Sequence, residues 1–158
     1  MKLLTTRFGT VEVPDKDVLF FSLGVLGFPE VRRYVMLDHG RNTPLKWLQA
    51  VDKPELAFPM VPATDLVEDY HITVSPDDLA ALAMESTDEL LAFVILTILA
   101  FVILTIPNAA PEGTTANLKA PIVMNPTTHL ARQVLVEQDY PIRYPLAVAQ
   151  PATVECAG

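Results

Sequence analysis

The feature that most constrains this chain is an octapeptide written twice without a change, LAFVILTI at Leu91–Ile98 and again at Leu99–Ile106. With Leu90 ahead of it the run is seventeen residues long, and only Thr97 and Thr105 in it are polar. Its length reaches the lower edge of a helical membrane span. Its residues argue against one: Val, Ile, Phe and Thr suit a pleated surface better than a helix. Asp88 and Glu89 precede the run, Pro107 stops it, and no Lys or Arg flanks it as an anchor. A buried β-strand is the better reading.

The two copies cannot both serve as one strand of a small domain. Sixteen extended residues reach ~53 Å at ~3.3 Å each, whereas a compact domain of this size is only ~40 Å across. The repeat length is even, so Leu91, Phe93, Ile95 and Thr97 face the same way as Leu99, Phe101, Ile103 and Thr105. Either copy can therefore fill one slot with its faces correct. The expectation is that one copy keeps the strand and the other forms an extension or loop, as after an insertion into a finished fold. An exposed second copy would invite strand swapping or aggregation, although a monomer is expected.

At 158 residues the chain is one domain's worth, and 51% hydrophobic against 19% charged residues exclude a disordered chain. The first residues, Met1-Lys2-Leu3-Leu4, do not begin a secretory signal. The lone cysteine, Cys156, lies near the C-terminus without a partner, which fits a reducing compartment. Charge is uneven: Asp52–Glu89 holds ten acidic residues and one base, Lys53, while the remainder is nearly balanced. Such a chain is repelled by nucleic acid and attracted to a basic partner. The plain alternative is a solvated acidic face.

Taken in order, Leu3–Val13 reads as a short hairpin around Phe8-Gly9-Thr10, and Val18–Phe21 as a strand. The loop Gly24–Glu30 follows, with Gly24 and Gly27 supplying backbone angles that other residues resist. Tyr34–Leu37 is a strand; Leu45–Val51 and Leu56–Val61 flank the turn Asp52–Glu55. Trp47 on that hairpin reads as core or near-core. Tyr70–Val74 alternates as a strand does. Ser75-Pro76-Asp77-Asp78 then opens a short helix, with serine as N-cap, proline at the first position and aspartates at the positive end of the dipole. Ala116–Asn125 and Leu130–Gln138 form a last long hairpin, and the proline-bearing tail from Tyr140 lies along the surface or frays. The sum is one mostly β domain, a small antiparallel barrel or sandwich of eight or nine strands with one or two short helices.

Catalytic patterns are not found. GVLGFPE has glycines three apart but no phosphate-loop lysine, and His39, His71 and His129 stand alone without ligand spacing. Asp77 and Asp78 are explained by the helix's first turn, and Asp65, Glu68 and Asp69 lack the frame of a calcium loop. No enzyme activity, metal or cofactor is expected.

Three phrases do carry an identity: GxxGFPE at Gly24–Glu30, PLKWLQAVDKPELAFPM at Pro44–Met60, and TTANLKAPIVMN at Thr114–Asn125. In order and spacing they resemble the FliW family of flagellar assembly factors, from the first hairpin to about Leu146. The most specific is T-x-N-L-x-A-P-I-V-x-N, here Thr115, Asn117, Leu118, Ala120, Pro121, Ile122, Val123 and Asn125. The chain departs from the family pattern in having two copies of LAFVILTI where one strand is usual. The resemblance implies a cytoplasmic bacterial protein with a compact β-barrel-like fold and no catalysis. It also implies two alternative protein partners, flagellin before export and the RNA-binding translational regulator CsrA, whose repression of flagellin synthesis the factor relieves.

Given that resemblance, charge density places the regulator on Glu68, Asp69, Tyr70 and His71, with Asp65 and Glu55 as rim charges. For flagellin an apolar receptor is the natural expectation, and the Trp47–Val51 hairpin is the candidate. Gly27, Pro29, Ala120 and Pro121 read as structural, while Asn117 and Lys119 fit either an interface or a ladder edge. Outside the resemblance, the residues leave open a small-ligand-binding barrel with weak hydrolase activity from the acidic cluster, or a membrane association through the duplicated run.

Overall fold

The computed structural model describes residues 1–40, 43–87, 89–97 and 114–145. The N-terminal hairpin is as expected: β1 (Lys2–Thr5) pairs antiparallel with β2 (Gly9–Glu12) as a separate two-stranded sheet, Leu3 opposite Val11. Then come β3 (Leu19–Phe21), β4 (Arg33–Asp38), β5 (Lys46–Ala50) and β6 (Ala57–Pro62). The helix α1 (Pro76–Ala81) follows, and then β7 (Leu91–Thr97), β8 (Thr115–Ala116), β9 (Ile122–Met124), β10 (Leu130–Gln133) and β11 (Tyr144–Pro145).

Seven of these strands close into a barrel in the order β9-β10-β3-β4-β5-β6-β7, with β7 returning to β9. Every junction is antiparallel except β10–β3, which is parallel. The mostly antiparallel arrangement is as expected, and the one parallel junction is a matter of parity: an odd ring of strands cannot alternate direction all the way round. β8 and β11 extend the sheet beside β7 as a short flange.

The first copy of the octapeptide is the seam. Leu91–Phe93 pair with β9, Phe93–Ile95 with β6, and Leu96–Thr97 with β8. The second copy lies outside the described residues, so its expected extension or loop does too. Strand alternation sends Phe93 into the barrel interior with Leu19, Phe21, Tyr34, Leu48, Met60 and Ile122, while Val94 and Leu96 join an outer core under the flange. A third cluster, with Leu82, Val123, Val134 and Val136, seats the turn after α1 on the outer face of the barrel. Such burial, at about 25 cal/mol per Å² of apolar surface, is the main favourable term in folding.

The Ser75 cap is present: its hydroxyl accepts from the Asp78 amide at 3.1 Å, and Pro76 takes the first turn. The helix is short, as expected, and ends at Ala81; Ala83 then adopts φ +59. Two other expectations are corrected. Tyr70–Val74 is no strand: the amides of His71 and Thr73 are bound by the side chains of Tyr140 and Gln138 instead of a neighbouring strand. The alternation there reflects packing of Tyr70, Ile72 and Val74 on the barrel. The final long hairpin is shorter than expected, with Ile122–Met124 on Leu130–Gln133, because Asn117 Oδ1 accepts from the Lys119 and Ala120 amides and turns the chain. The stretch from Tyr140 is held through Pro145: the Leu118 amide donates to the Pro141 carbonyl, and Tyr144 pairs with Ala116.

Candidate functional site

Beyond β6 the chain makes a tight turn at Ala63–Asp65, where the amides of Leu66 and Val67 both donate to the Ala63 carbonyl. Leu66, Val67 and Tyr70 are spaced to pack on the outer core, against Ala63, Val94 and Leu118 among others. That leaves Asp65, Glu68 and Asp69 exposed on the opposite side. Tyr70 anchors the segment. Its hydroxyl donates to the Leu118 carbonyl at 2.7 Å, and its ring stacks on Tyr140 with centroids 4.6 Å apart. Burial, with Tyr140 beside it, pushes the Tyr70 hydroxyl above the ordinary tyrosine range. The Tyr140 hydroxyl in turn accepts from the His71 amide at 3.1 Å.

These contacts bring a second stretch to the same shoulder. Gln138 clasps Thr73 twice, accepting from its amide at 3.1 Å and donating to its hydroxyl at 2.8 Å. Its neighbours Glu137 and Asp139 are exposed. Two neighbouring segments joined by these contacts thus carry five exposed carboxylates, Asp65, Glu68, Asp69, Glu137 and Asp139, an acidic shoulder. Among the described residues none of the five is in a salt bridge. Lys119 comes close to them, its Nζ donating to the Gln138 carbonyl at 2.8 Å. The sequence singled out Asp65, Glu68 and Asp69; Glu137 and Asp139 come near their segment only through contacts spanning 65 residues, which leave no local signal. Asn117 and Lys119, left open between interface and ladder edge, serve as turn former and tether here.

The remaining candidates are not on this shoulder. Glu55 stands in the turn before β6, about 20 Å of strand away from Asp65. There Asp52 is held by Arg33 in two hydrogen bonds at 2.6 and 3.1 Å, and Lys53 lies 3.4 Å from Glu55. A backbone amide bond first, then Lys53, hold the Glu55 carboxyl below its ordinary value. This turn's acids are therefore neutralised where those of the shoulder are not. Gln49, fully buried, donates to the carbonyls of Ala50, Pro54 and Leu56 and fixes the turn.

Trp47 is core, as its hairpin position suggested, and only 6% exposed. Phe8 packs edge-on to it at 5.8 Å, Arg7 lies 4.3 Å over its ring, and Nε1 donates to His39 Nδ1 at 3.1 Å. Its ring is covered by the N-terminal hairpin and is not offered to a partner. Val51 is half-buried at the strand's end.

At one mouth of the barrel, Leu19, Met36, Leu91 and Met124 line an apolar hollow of about 230 Å³, with Asp17, Pro126 and His129 also lining it. That is below the ~300–1,000 Å³ of ordinary ligand pockets. Among the described residues no group of three His, Cys, Asp or Glu side chains is placed to hold a metal ion. Among them, too, no helix is long and apolar enough to cross a membrane.

Comparison with known proteins agrees over nearly the whole chain. The profile of the FliW protein family matches residues 2–146. A flagellar assembly factor FliW of Natranaerobius thermophilus is 34% identical over 147 residues, covering 92% of each chain. One of Bdellovibrio bacteriovorus is 37% identical over 147 residues, 92% of this chain and 79% of its own. A crystal structure of the flagellar assembly factor FliW superposes with a TM-score of 0.78 at 30% identity, covering 92% of this chain and 96% of that one.

Proposed function

The chain belongs to the FliW family of flagellar assembly factors, and from that premise we propose that it acts in the cytoplasm by binding proteins, without catalysis. Its partners in this reading are flagellin before export and a CsrA-type translational regulator, which it holds off flagellin messages when flagellin leaves the cell. The observation that carries the regulator half is the uncompensated shoulder of Asp65, Glu68, Asp69, Glu137 and Asp139 beside the ordered Tyr70–Tyr140 stack. A regulator that binds RNA presents basic surface, and complementary fields speed encounter and select partners. Tyr70 and His71 provide a fixed backbone beside those charges, so little ordering is left to the moment of binding. Glu55, already paired with Lys53 on a distant turn, contributes at most a peripheral charge. For flagellin, Val51 and the β5–β6 turn remain the proposed contact, with Trp47 supporting the hairpin from beneath.

The test is titration calorimetry against the cognate CsrA-type regulator at two salt concentrations, using the chain and its Glu68→Lys/Asp69→Lys variant. Binding by the parent should weaken with salt, since exposed charges are screened over ~10 Å at 0.1 M. The double reversal should lower affinity at least about tenfold and flatten the salt dependence. Equal affinity and equal salt dependence in both proteins would remove the shoulder from the interface.

A further inference from the structure

We propose that the open mouth of the barrel is a socket for one ring-sized apolar side chain of a partner polypeptide, with Asp17 at its rim selecting a basic residue beside that anchor. This goes beyond the acidic shoulder and does not depend on it. Residues two apart on a strand share a face. Leu19, Met36, Leu91 and Met124 each stand two residues along their strands from an interior residue, respectively Phe21, Tyr34, Phe93 and Ile122. They are therefore the next inward-facing layer, and Leu91 lies directly opposite Met124 across the β7–β9 junction. At the other end of the barrel the loop after β3 turns Val25 into the core and packs Phe28 on Phe58. Here the last layer stays open among the described residues: Leu91 is 42% exposed, and the four side chains line the hollow of about 230 Å³.

Size and charge choose the occupant. An apolar cavity of ~150 Å³ already admits benzene, so this hollow takes one aromatic ring with its linking carbon and is too small for an ordinary metabolite. Its opening at the surface leaves the attached backbone outside. The two methionines adapt their shape to what enters. Asp17 lines the rim and is in no salt bridge among the described residues, whereas Asp15 is held by the N-terminal amine at 3.3 Å. Lys16 between them is exposed and does not line the hollow. A carboxylate in that place favours a cation beside the anchor and disfavours an acid. The rim is already ordered at His129: φ is +62, its amide donates to the Asn125 carbonyl at 2.9 Å, and its carbonyl accepts from the Phe20 amide at 2.9 Å. Little ordering is then left to the moment of binding.

The test titrates the full chain, its methionine methyls labelled with carbon-13, with three capped dipeptides: acetyl-Phe-Lys-amide, acetyl-Phe-Glu-amide and acetyl-Ala-Lys-amide. The Met36 and Met124 methyl signals should move saturably with the first, at least about fivefold more weakly with the second, and not with the third. Met1 and Met84, which do not line the hollow, should stay still. Asp17→Asn, a change at an exposed position, should abolish the preference for lysine over glutamate. Unmoved Met36 and Met124 signals at about 10 mM of the Phe-Lys peptide would overturn the socket, as a single anchor binds weakly but measurably. Equal movement with the alanine peptide, or movement shared by Met1 and Met84, would overturn it too. Equal binding of the lysine and glutamate peptides, or a preference that survives Asp17→Asn, would overturn selection by Asp17.

Discussion

Replacing Gly24 by alanine should damage this protein far more than the same change at Gly27, three residues away in the same loop. Both glycines have positive φ, +68 at Gly24 and +94 at Gly27. An alanine at either meets the penalty of the left-handed region, about 1–2 kcal/mol. At Gly27 nothing lies within 4 Å of the added methyl, so that penalty is the whole cost. At Gly24 the methyl would sit 2.4 Å from the Phe28 carbonyl oxygen, 2.7 Å from Pro29 Cα and 2.9 Å from the Pro29 carbonyl carbon. All three are backbone atoms in a loop closed by the Gly24 amide on Phe21 O and the Phe28 amide on Val25 O. Relief therefore requires the loop to move, with Val25 in the barrel core and Phe28 packed on Phe58. Overpacking of this kind costs about 1–3 kcal/mol more. The expected totals are about 2–5 kcal/mol for Gly24→Ala and about 1–2 kcal/mol for Gly27→Ala. Loss of unfolded-chain freedom affects both alike and drops out of the difference. Urea unfolding at constant m reads the two values directly. Equal losses, or a larger one at Gly27, would refute the packing argument for this loop.

Three further outcomes are expected. Tyr34 is fully buried, and its hydroxyl has no hydrogen-bond partner among the described residues. Tyr34→Phe should therefore cost nothing or stabilise by up to about 1 kcal/mol, where a bonded hydroxyl would lose about that much. Burial, and then Glu30, raise the Tyr34 pKa from 10.0 to about 12. The unfolded chain ionises first, so the contribution of Tyr34 is complete below pH 10 and is lost as pH rises from there through about 12. An alkaline denaturation series should show a shallower decline for the Phe variant than for the parent. Asn125, buried under the turn after α1, donates to the Leu82 carbonyl at 2.8 Å and accepts from the Thr127 amide at 2.9 Å. Asn125→Ala should cost about 1–3 kcal/mol by calorimetric unfolding, since it strips two good bonds and leaves the buried Leu82 carbonyl with only the 3.4 Å bond from Thr128 Oγ1. A loss below about 1 kcal/mol would show that the turn is held by other contacts.

What the sequence determined by itself is local. Ser75-Pro76-Asp77-Asp78 specified a helix start because cap, proline and charge act within one turn. Gly24 and Gly27 announced left-handed backbone because only glycine adopts it without strain. The mostly β class, the β5–β6 hairpin and the slot-filling octapeptide followed from period-two patterns between turn residues. The family followed from three phrases whose Gly, Pro and Asn residues set backbone geometry.

Tertiary structure decided what depends on contacts distant in sequence. Barrel closure by β7 on β9 and the parallel junction of β10 with β3 are products of ring parity and reach, which no local window contains. Tyr70–Val74 alternates like a strand, yet side chains of Gln138 and Tyr140 took the place of a strand partner. The same clasp drew Glu137 and Asp139 into the acidic shoulder and left Glu55 on another turn. Trp47 illustrates the division most simply: its hairpin was legible, but only the packing of Arg7 and Phe8 across its ring made it core instead of interface. Charge and periodicity are properties of a segment, whereas exposure and compensation belong to the neighbours the fold supplies.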